Sequence, residues 1–287
     1  MSTGTSEAAS TLFTPPTHTQ SRVYNALTGG KENYSTEQEL AQDLLKIFPG
    51  MGEVMKESRR FIIRAAAYLA DMGLRQFLDL GCGYPPGDSA DDQNVHEVVQ
   101  DIMPWARVAY VDNDRTVITH ALHAYRFQPG LAVVHADVRD LDTVLSHPDL
   151  RKVIDPDQEA GVLAGALLHF FDDEAAKRML EDLARRLAPG SVIALTHATG
   201  DGAPEDKAAE ARDLYERHVG PLYLRSEEQI RALLKDCRII AGPHRSYELL
   251  PEHPDDVENA DKRGPHFWAV IAELSPAPAR PAGEGTD

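Results

Sequence analysis

Cysteine, basic charge and long apolar runs are all scarce in this sequence, and each scarcity excludes something. Two cysteines, Cys82 and Cys237, form neither a disulfide framework nor a zinc-ligand set. Lys and Arg number 29 against 46 Asp and Glu, leaving a formal charge of −17. That balance argues against a general grip on nucleic acid or an anionic membrane, since phosphate contact needs Lys and Arg. The longest apolar stretch, Gly161 to Phe171, is too short to span a bilayer. The first residues lack the basic-then-apolar pattern of a secretory leader. A reducing, cytoplasmic setting is expected. No internal repeat is found. A length of 287 residues allows one large domain, or one domain with a small addition.

What the sequence does have is centred on Phe77-Leu78-Asp79-Leu80-Gly81-Cys82-Gly83. An apolar run carrying one acidic residue enters a Gly-x-Gly turn. This predicts the first strand of a parallel sheet feeding a ligand-binding loop, with glycines where a Cβ would block the approach. From Gln76 onward strand and helix signals alternate, the pattern of a parallel sheet. Strands are predicted at Gln76–Leu80, Arg107–Val111, Leu131–Ala136, Gly161–Leu167 and Ser191–Thr196, with two late ones at Cys237–Ala241 and His266–Glu273. Helices are predicted at about 94–103, 114–125, 140–146, 172–187, 202–218 and 226–235. Asn94 with Glu97, Asp114, Asp140, Asp172, and Ser226 with Gln229 serve as their start signals.

Ahead of the sheet, residues 1–18 read as a disordered leader rich in Ser, Thr and Pro. The stretch Ser21 to Tyr34 holds Arg22, Tyr24, Tyr34, two asparagines and Gly29-Gly30, with too little apolar periodicity for an ordinary helix. It reads as a surface loop with a Gly-Gly turn, or as a lid. As a lid, Arg22 would take a carboxylate, the tyrosines would form flat walls, and the glycine pair would hinge. A capping box at Thr36 and Glu39 then starts one helix, which Pro49-Gly50 ends. A second follows with Val54, Ser58, Phe61, Ile62, Ala65 and Leu69 on one face. The expected organisation is a leader (1–18), a lid with two helices (19–75), a ligand-binding domain (76–274) and a disordered tail (275–287).

Ligands of open parallel sheets bind at the carboxyl ends of the strands, near the switch in strand order. The residues there are Gly81 and Gly83, Asp112, Asp137, Leu168-His169-Phe170 and His197. With Asp79 they place carboxylates at three consecutive strands. Carboxylates accept bonds from an ammonium, ribose hydroxyls and an exocyclic amine, and they disfavour a pyrophosphate. His169 is either a core histidine or a group that orients or deprotonates a nucleophile. His197 and Thr199 end the fifth strand and are candidate substrate contacts. Cys82 reads as a packing residue.

These motifs resemble class I S-adenosylmethionine-dependent methyltransferases. The match rests on Asp79-Leu80-Gly81-Cys82-Gly83, on Val111-Asp112-Asn113-Asp114, and on His135-Ala136-Asp137-Val138-Arg139. Dinucleotide enzymes carry a third glycine three residues after the second, where this chain has Pro86. A closer resemblance joins Arg22-Val23-Tyr24, Leu27 to Tyr34, Asn94 to Val98, Tyr110 to Asp114, Leu168-His169-Phe170 and Thr196 to Thr199. It points to a subfamily long catalogued as a domain of unknown function and grouped with S-adenosyl methyltransferases. It spans about residues 20–274.

The resemblance implies a Rossmann-like fold: a mostly parallel seven-stranded sheet, helices on both faces, and an N-terminal helical cap. It implies S-adenosyl-L-methionine as cofactor, with Asp112 on the ribose and Asp137 near adenine. Arg22, Tyr24, Asn33, Tyr34, Asp79, Gly81, Gly83, Asn94, Asn113, Val138 and Leu168 complete the expected cofactor contacts, and His169 is the candidate catalytic residue. The chain departs from a compact unit in the 28 residues between Gly83 and Asp112. The surplus loop Tyr84 to Gln93 is a solvated insertion, or it lies beside the methionine end of the cofactor with Asn94 touching it. Its Asp88, Asp91 and Asp92 do not have calcium-loop spacing, and no metal is expected.

The strand-four end lacks the Asn/Asp-Pro-Pro signature of enzymes that methylate bases or glutamine. A small-molecule acceptor is therefore expected, with neither nucleic acid nor membrane as partner. Two alternatives stay open. One is a protein that holds the cofactor or its demethylated product without turnover; the other is a nicotinamide-dependent oxidoreductase.

Overall fold

The computed structural model describes residues 18–86, 93–251 and 265–274. The expected leader up to residue 17, the tail from Ser275, the aspartates of the 84–93 loop and most of the 243–265 loop lie outside the described residues.

β1 (Gln76–Leu80) is buried at every position and sits in the middle of a seven-stranded sheet. Around it run β2 (Arg107–Asp112), β3 (Leu131–His135), β4 (Gly161–Ala164), β5 (Val192–Ala198), β6 (Arg238–Arg245) and β7 (Phe267–Glu273). Their spatial order is β3-β2-β1-β4-β5-β7-β6. The first five are parallel; β7 runs antiparallel between β5 and β6. Strand order reverses between β1 and β4, so a crevice opens at the carboxyl ends there. This is the mostly parallel seven-stranded sheet expected from the sequence.

Alternation along β1 divides the core. Leu78 and Leu80 pack on one face, into a cluster with Leu163's neighbours Val162 and Ala164 and the apolar residues of α6 (Leu141–Ser146), α7 (Asp173–Arg186) and α9 (Glu227–Leu233). Phe77 packs on the other, against α3 (Met51–Asp71), α4 (Val95–Ile102) and α5 (Arg115–Tyr125). Asp79 shares the face of Phe77, so its side chain is on the α3 side. A third cluster joins α1 (Gln20–Leu27), α2 (Ser35–Ile47) and α8 (Glu205–His218) through Val23, Leu27, Leu44, Phe48, Ala211 and Tyr215. These helices form the cap.

The helix start signals hold. Asn94, Asp114, Asp140, Asp172 and Ser226 are the N-caps of α4, α5, α6, α7 and α9. Three expectations need correction. Residues 20–27 form a helix, although too little periodicity was read there. Its buried stripe is only Val23 and Leu27, an i,i+4 pair, supplemented by the buried Arg22. The capping of α2 lies two residues upstream of Thr36. Tyr34 is the N-cap, and its N–H donates to Glu37 Oε2 at 3.0 Å. The fourth strand also stops at Ala164, not Leu167. Ala166 has φ 50° and turns the chain out of the sheet.

Candidate active site

The cavity at the carboxyl ends of the strands is about 1470 Å³ and reaches from the β1–β3 loops to the underside of the cap. Drug-sized ligands usually occupy about 300–1,000 Å³, so this space accommodates more than one small molecule. Gly81 and Gly83 have φ of 67° and 65°, a conformation that L side chains rarely adopt. The turn is pinned by the Gly81 and Cys82 N–H groups, which donate to Val111 O at 2.8 and 3.1 Å. Burial, with Asp112 and Asp79 nearby, pushes the Cys82 thiol well up and disfavours its thiolate.

Asp112, at the end of β2, is held at both oxygens. Gly83 N–H donates to Oδ2 at 3.0 Å and Asp114 N–H to Oδ1 at 2.9 Å. Burial raises its pKa, and those backbone donors oppose the rise. The carboxylate is thus oriented, with lone pairs left for a hydroxylated ligand. Asp79 is different. It is buried and has no hydrogen-bond partner among the described residues. Burial lifts its carboxyl to about 7; Arg59 pulls against the rise and Asp112 adds to it. Arg59, from α3, borders the cavity and likewise has no hydrogen bond or ion pair among the described residues. An unpartnered carboxyl and an unpartnered guanidinium on one stretch of wall suit a zwitterion.

Asn113, just after β2, and Asp137 and Val138, just after β3, border the cavity. Arg139 donates to Asp137 through its backbone N–H (3.0 Å) and its guanidinium, and this holds the Asp137 carboxyl below its usual value. Asp114 ties the cap to this side. Thr19 and Ser21 hydroxyls donate to its Oδ2 at 2.8 and 2.6 Å. Burial would raise the Asp114 pKa, but the bonds from Ser21, Thr116 and Thr19 outweigh it and the net shift is downward.

The N-terminal candidates separate. Arg22 and Tyr24 border the cavity; Asn33 and Tyr34 lie off its wall. The carboxylate met by Arg22 Nε is Glu37 Oε1, at 3.0 Å. The Tyr24 hydroxyl donates to Met55 O at 2.6 Å and fastens α1 to α3. Asn33 Nδ2 donates to Asn25 Oδ1 (2.7 Å) and Gly30 O (2.9 Å), closing the Gly-Gly turn on itself. Tyr34 is half exposed. Asn94 also lies off the wall, accepting the Tyr125 hydroxyl at 2.5 Å, while its neighbours Gln93 and Val95 line the cavity.

At the ends of β4 and β5, His169 and Thr199 border the cavity, whereas Leu168 and His197 are fully buried away from it. His197 is held in the core. Its Nδ1 donates to Ala198 O at 2.8 Å, and its Nε2 accepts from Arg225 Nη1 at 2.7 Å. Burial chiefly, with the Arg225 charge, takes it down to about 3. Arg225 also donates to Leu168 O, Phe171 O and Asp173 Oδ1. The left-handed Ala166 is held by its N–H donating to Thr196 Oγ1 at 2.8 Å, which bonds Ser58 Oγ at 2.6 Å. Burial also lowers His169 well below the usual imidazole value, with His197 and Arg225 adding to the effect.

Sequence reasoning missed Arg59, Tyr84, Tyr215 and Arg225. Tyr84 follows the glycine turn, and its hydroxyl is buried without a hydrogen-bond partner among the described residues. The one readable signal was Arg59, a charge beside Ser58 on the buried face of a helix leading into β1. Among the described residues no three His, Cys, Asp or Glu side chains cluster tightly enough to hold a metal ion.

An open sheet of this order, a glycine turn after β1 and carboxylates at β1, β2 and β3 agree with the family model that matches residues 6–272, described as S-adenosyl methyltransferase. The chain belongs to the S-adenosyl methyltransferase family. Two solved structures support the fold. A candidate methyltransferase from Thermobifida fusca is 32% identical, with a TM-score of 0.82, over 92% of this chain and 99% of its own. A DUF574-family protein from Streptomyces avermitilis is 26% identical, with a TM-score of 0.81, over 90% of this chain and 97% of its own. No curated protein matches the chain. This methyltransferase uses S-adenosylmethionine as its cofactor.

Proposed function

We propose that this methyltransferase acts on a small molecule, bound in the cap-side part of the same cavity as the cofactor. The observation that carries the reading is the pairing of Asp79 and Arg59, unpartnered on one stretch of a cavity larger than one ligand needs. Asp79 would take the α-ammonium of the cofactor's methionine part and Arg59 its carboxylate. Asp112 would accept the ribose hydroxyls, and Asn113, Asp137 and Val138 would lie along the adenine. The cofactor supplies a methyl group on a positively charged sulfur. The protein's task is to align an acceptor with that methyl and keep water out. Arg22 and Tyr24 contribute by holding the cap closed.

The net charge of −17 favours a small molecule over nucleic acid. The test is transfer of label from methyl-labelled S-adenosylmethionine in a soluble cell extract. Label in a small-molecule product that chromatography separates from S-adenosylmethionine is expected. Label confined to protein or nucleic acid would contradict the reading.

A further inference from the structure

The cavity has two chemically distinct ends. The end near β1–β3 is lined by aspartates. The end under the cap is apolar, walled by Leu44, Phe48, Met55, Phe170 and Leu222. Two polar groups border this apolar end with no hydrogen-bond partner among the described residues: the Nε2 of His169 and the hydroxyl of Tyr215. Both residues are more than nine-tenths buried, at 4% and 8% exposure.

Phe170 stands between them. Its ring centroid is 4.3 Å from that of His169 and 6.1 Å from that of Tyr215, to which it is almost parallel at 17°. His169 meets Phe170 edge to face, at 65°, so the three rings form one aromatic cluster on the cavity wall. The proton on His169 is also placed. The Ala198 N–H donates to His169 Nδ1 at 3.3 Å, so Nδ1 must be the unprotonated nitrogen. A neutral imidazole then carries its hydrogen on Nε2, where it can donate and cannot receive a proton.

We propose that the acceptor is an aromatic small molecule lying against the His169–Phe170–Tyr215 wall, with an acidic oxygen bonded by His169 Nε2–H. This rests on the methyl-transfer reading above. His169 is then a donor to the acceptor's oxyanion, not a general base. The acceptor's hydroxyl loses its proton to solvent before transfer. The oxyanion's electron pair forms the new O–C bond, the methyl–sulfur bond breaks, and its pair stays on sulfur, giving S-adenosylhomocysteine and the methyl ether. A substrate acidic enough to ionise without a protein base, such as a phenol or enol, satisfies this balance; an alcohol does not. The Nε2–H bond favours the ionised form. The titratable groups packed behind His169 are His197, with ring centroids 5.6 Å apart, and then Arg225, whose charge Asp173 meets.

The test uses 2-naphthol, whose absorption separates naphthol from naphtholate, added to the protein with S-adenosylhomocysteine bound. The wild type should bind it and lower the pH at which it ionises by about one unit. His169→Gln keeps an amide donor near the Nε2 position and should keep most of the shift. His169→Leu should lose it, and Tyr215→Phe should weaken binding a few-fold with the ring wall intact. S-adenosylhomocysteine affinity should be unchanged in all three, which shows that each variant is folded. Naphthol that does not bind, or that ionises equally in the Leu variant, overturns the proposal. So does a Gln variant as impaired as Leu, the result a general base would give. Failure of the wild type to bind S-adenosylhomocysteine would instead overturn the methyl-transfer reading, and this proposal with it.

Discussion

At the scale of single residues, Asp79 sets the expected pH response. Its carboxyl titrates near 7 in the free protein because burial penalises the charge. An ammonium beside it favours the ionised form, so cofactor binding should release a proton below that pH. S-adenosylhomocysteine affinity should therefore rise with pH, by up to about tenfold per unit, and level off above 7. The free protein runs the other way. A raised carboxyl contributes its full stability below the ordinary carboxylate value and loses it as pH rises through about 7. Asp79→Asn should abolish both slopes, read by calorimetric titration and thermal melts across pH 5.5–8.5, a range of about three units around the Asp79 midpoint. A pH-independent wild type would contradict this assignment.

At the scale of elements, the cap hangs on few polar ties. Arg22 and Glu37 are both buried and bonded, and Glu37 also accepts the Tyr34 N–H that starts α2. Burial alone would raise Glu37, but the Arg22 and Tyr34 donors hold it below its usual value. Glu37→Gln removes the buried counter-charge that Arg22 meets, which should cost about 3 kcal/mol. Amide exchange should then rise in α1 and the first turn of α2 while β1, β2 and β4 stay protected; uniform loss across the sheet would contradict a local role.

These elements also show what sequence can and cannot reveal. Strands were legible because each is a short apolar run bounded by a turn signal, and helix starts because Asn94, Asp114 and Asp172 cap them locally. The helix at 20–27 was hidden because its stability comes from the cap's third core cluster and from Glu37, not from its own periodicity. The positions of Asp79, Asp112 and Asp137 at strand ends follow from spacing. That Arg59 lies close enough to Asp79 for its charge to be felt, or that Arg225 bonds His197 in the core, depends on the packing of segments far apart in the chain.

At the scale of the whole molecule, the account makes one cofactor end and one acceptor end out of a single cavity between sheet and cap. No helix among the described residues is long and apolar enough to cross a membrane. The central claim is that the β1–β3 end holds S-adenosylmethionine through Asp112 and the Asp79–Arg59 pair. Isothermal titration calorimetry tests it most directly, with S-adenosylmethionine and NADH as separate ligands. The account predicts binding of the first alone, weakened about tenfold or more by Asp112→Asn and by Arg59→Gln, since each removes a hydrogen bond to or from a charged group. Binding of NADH, or S-adenosylmethionine binding indifferent to both substitutions, would contradict it.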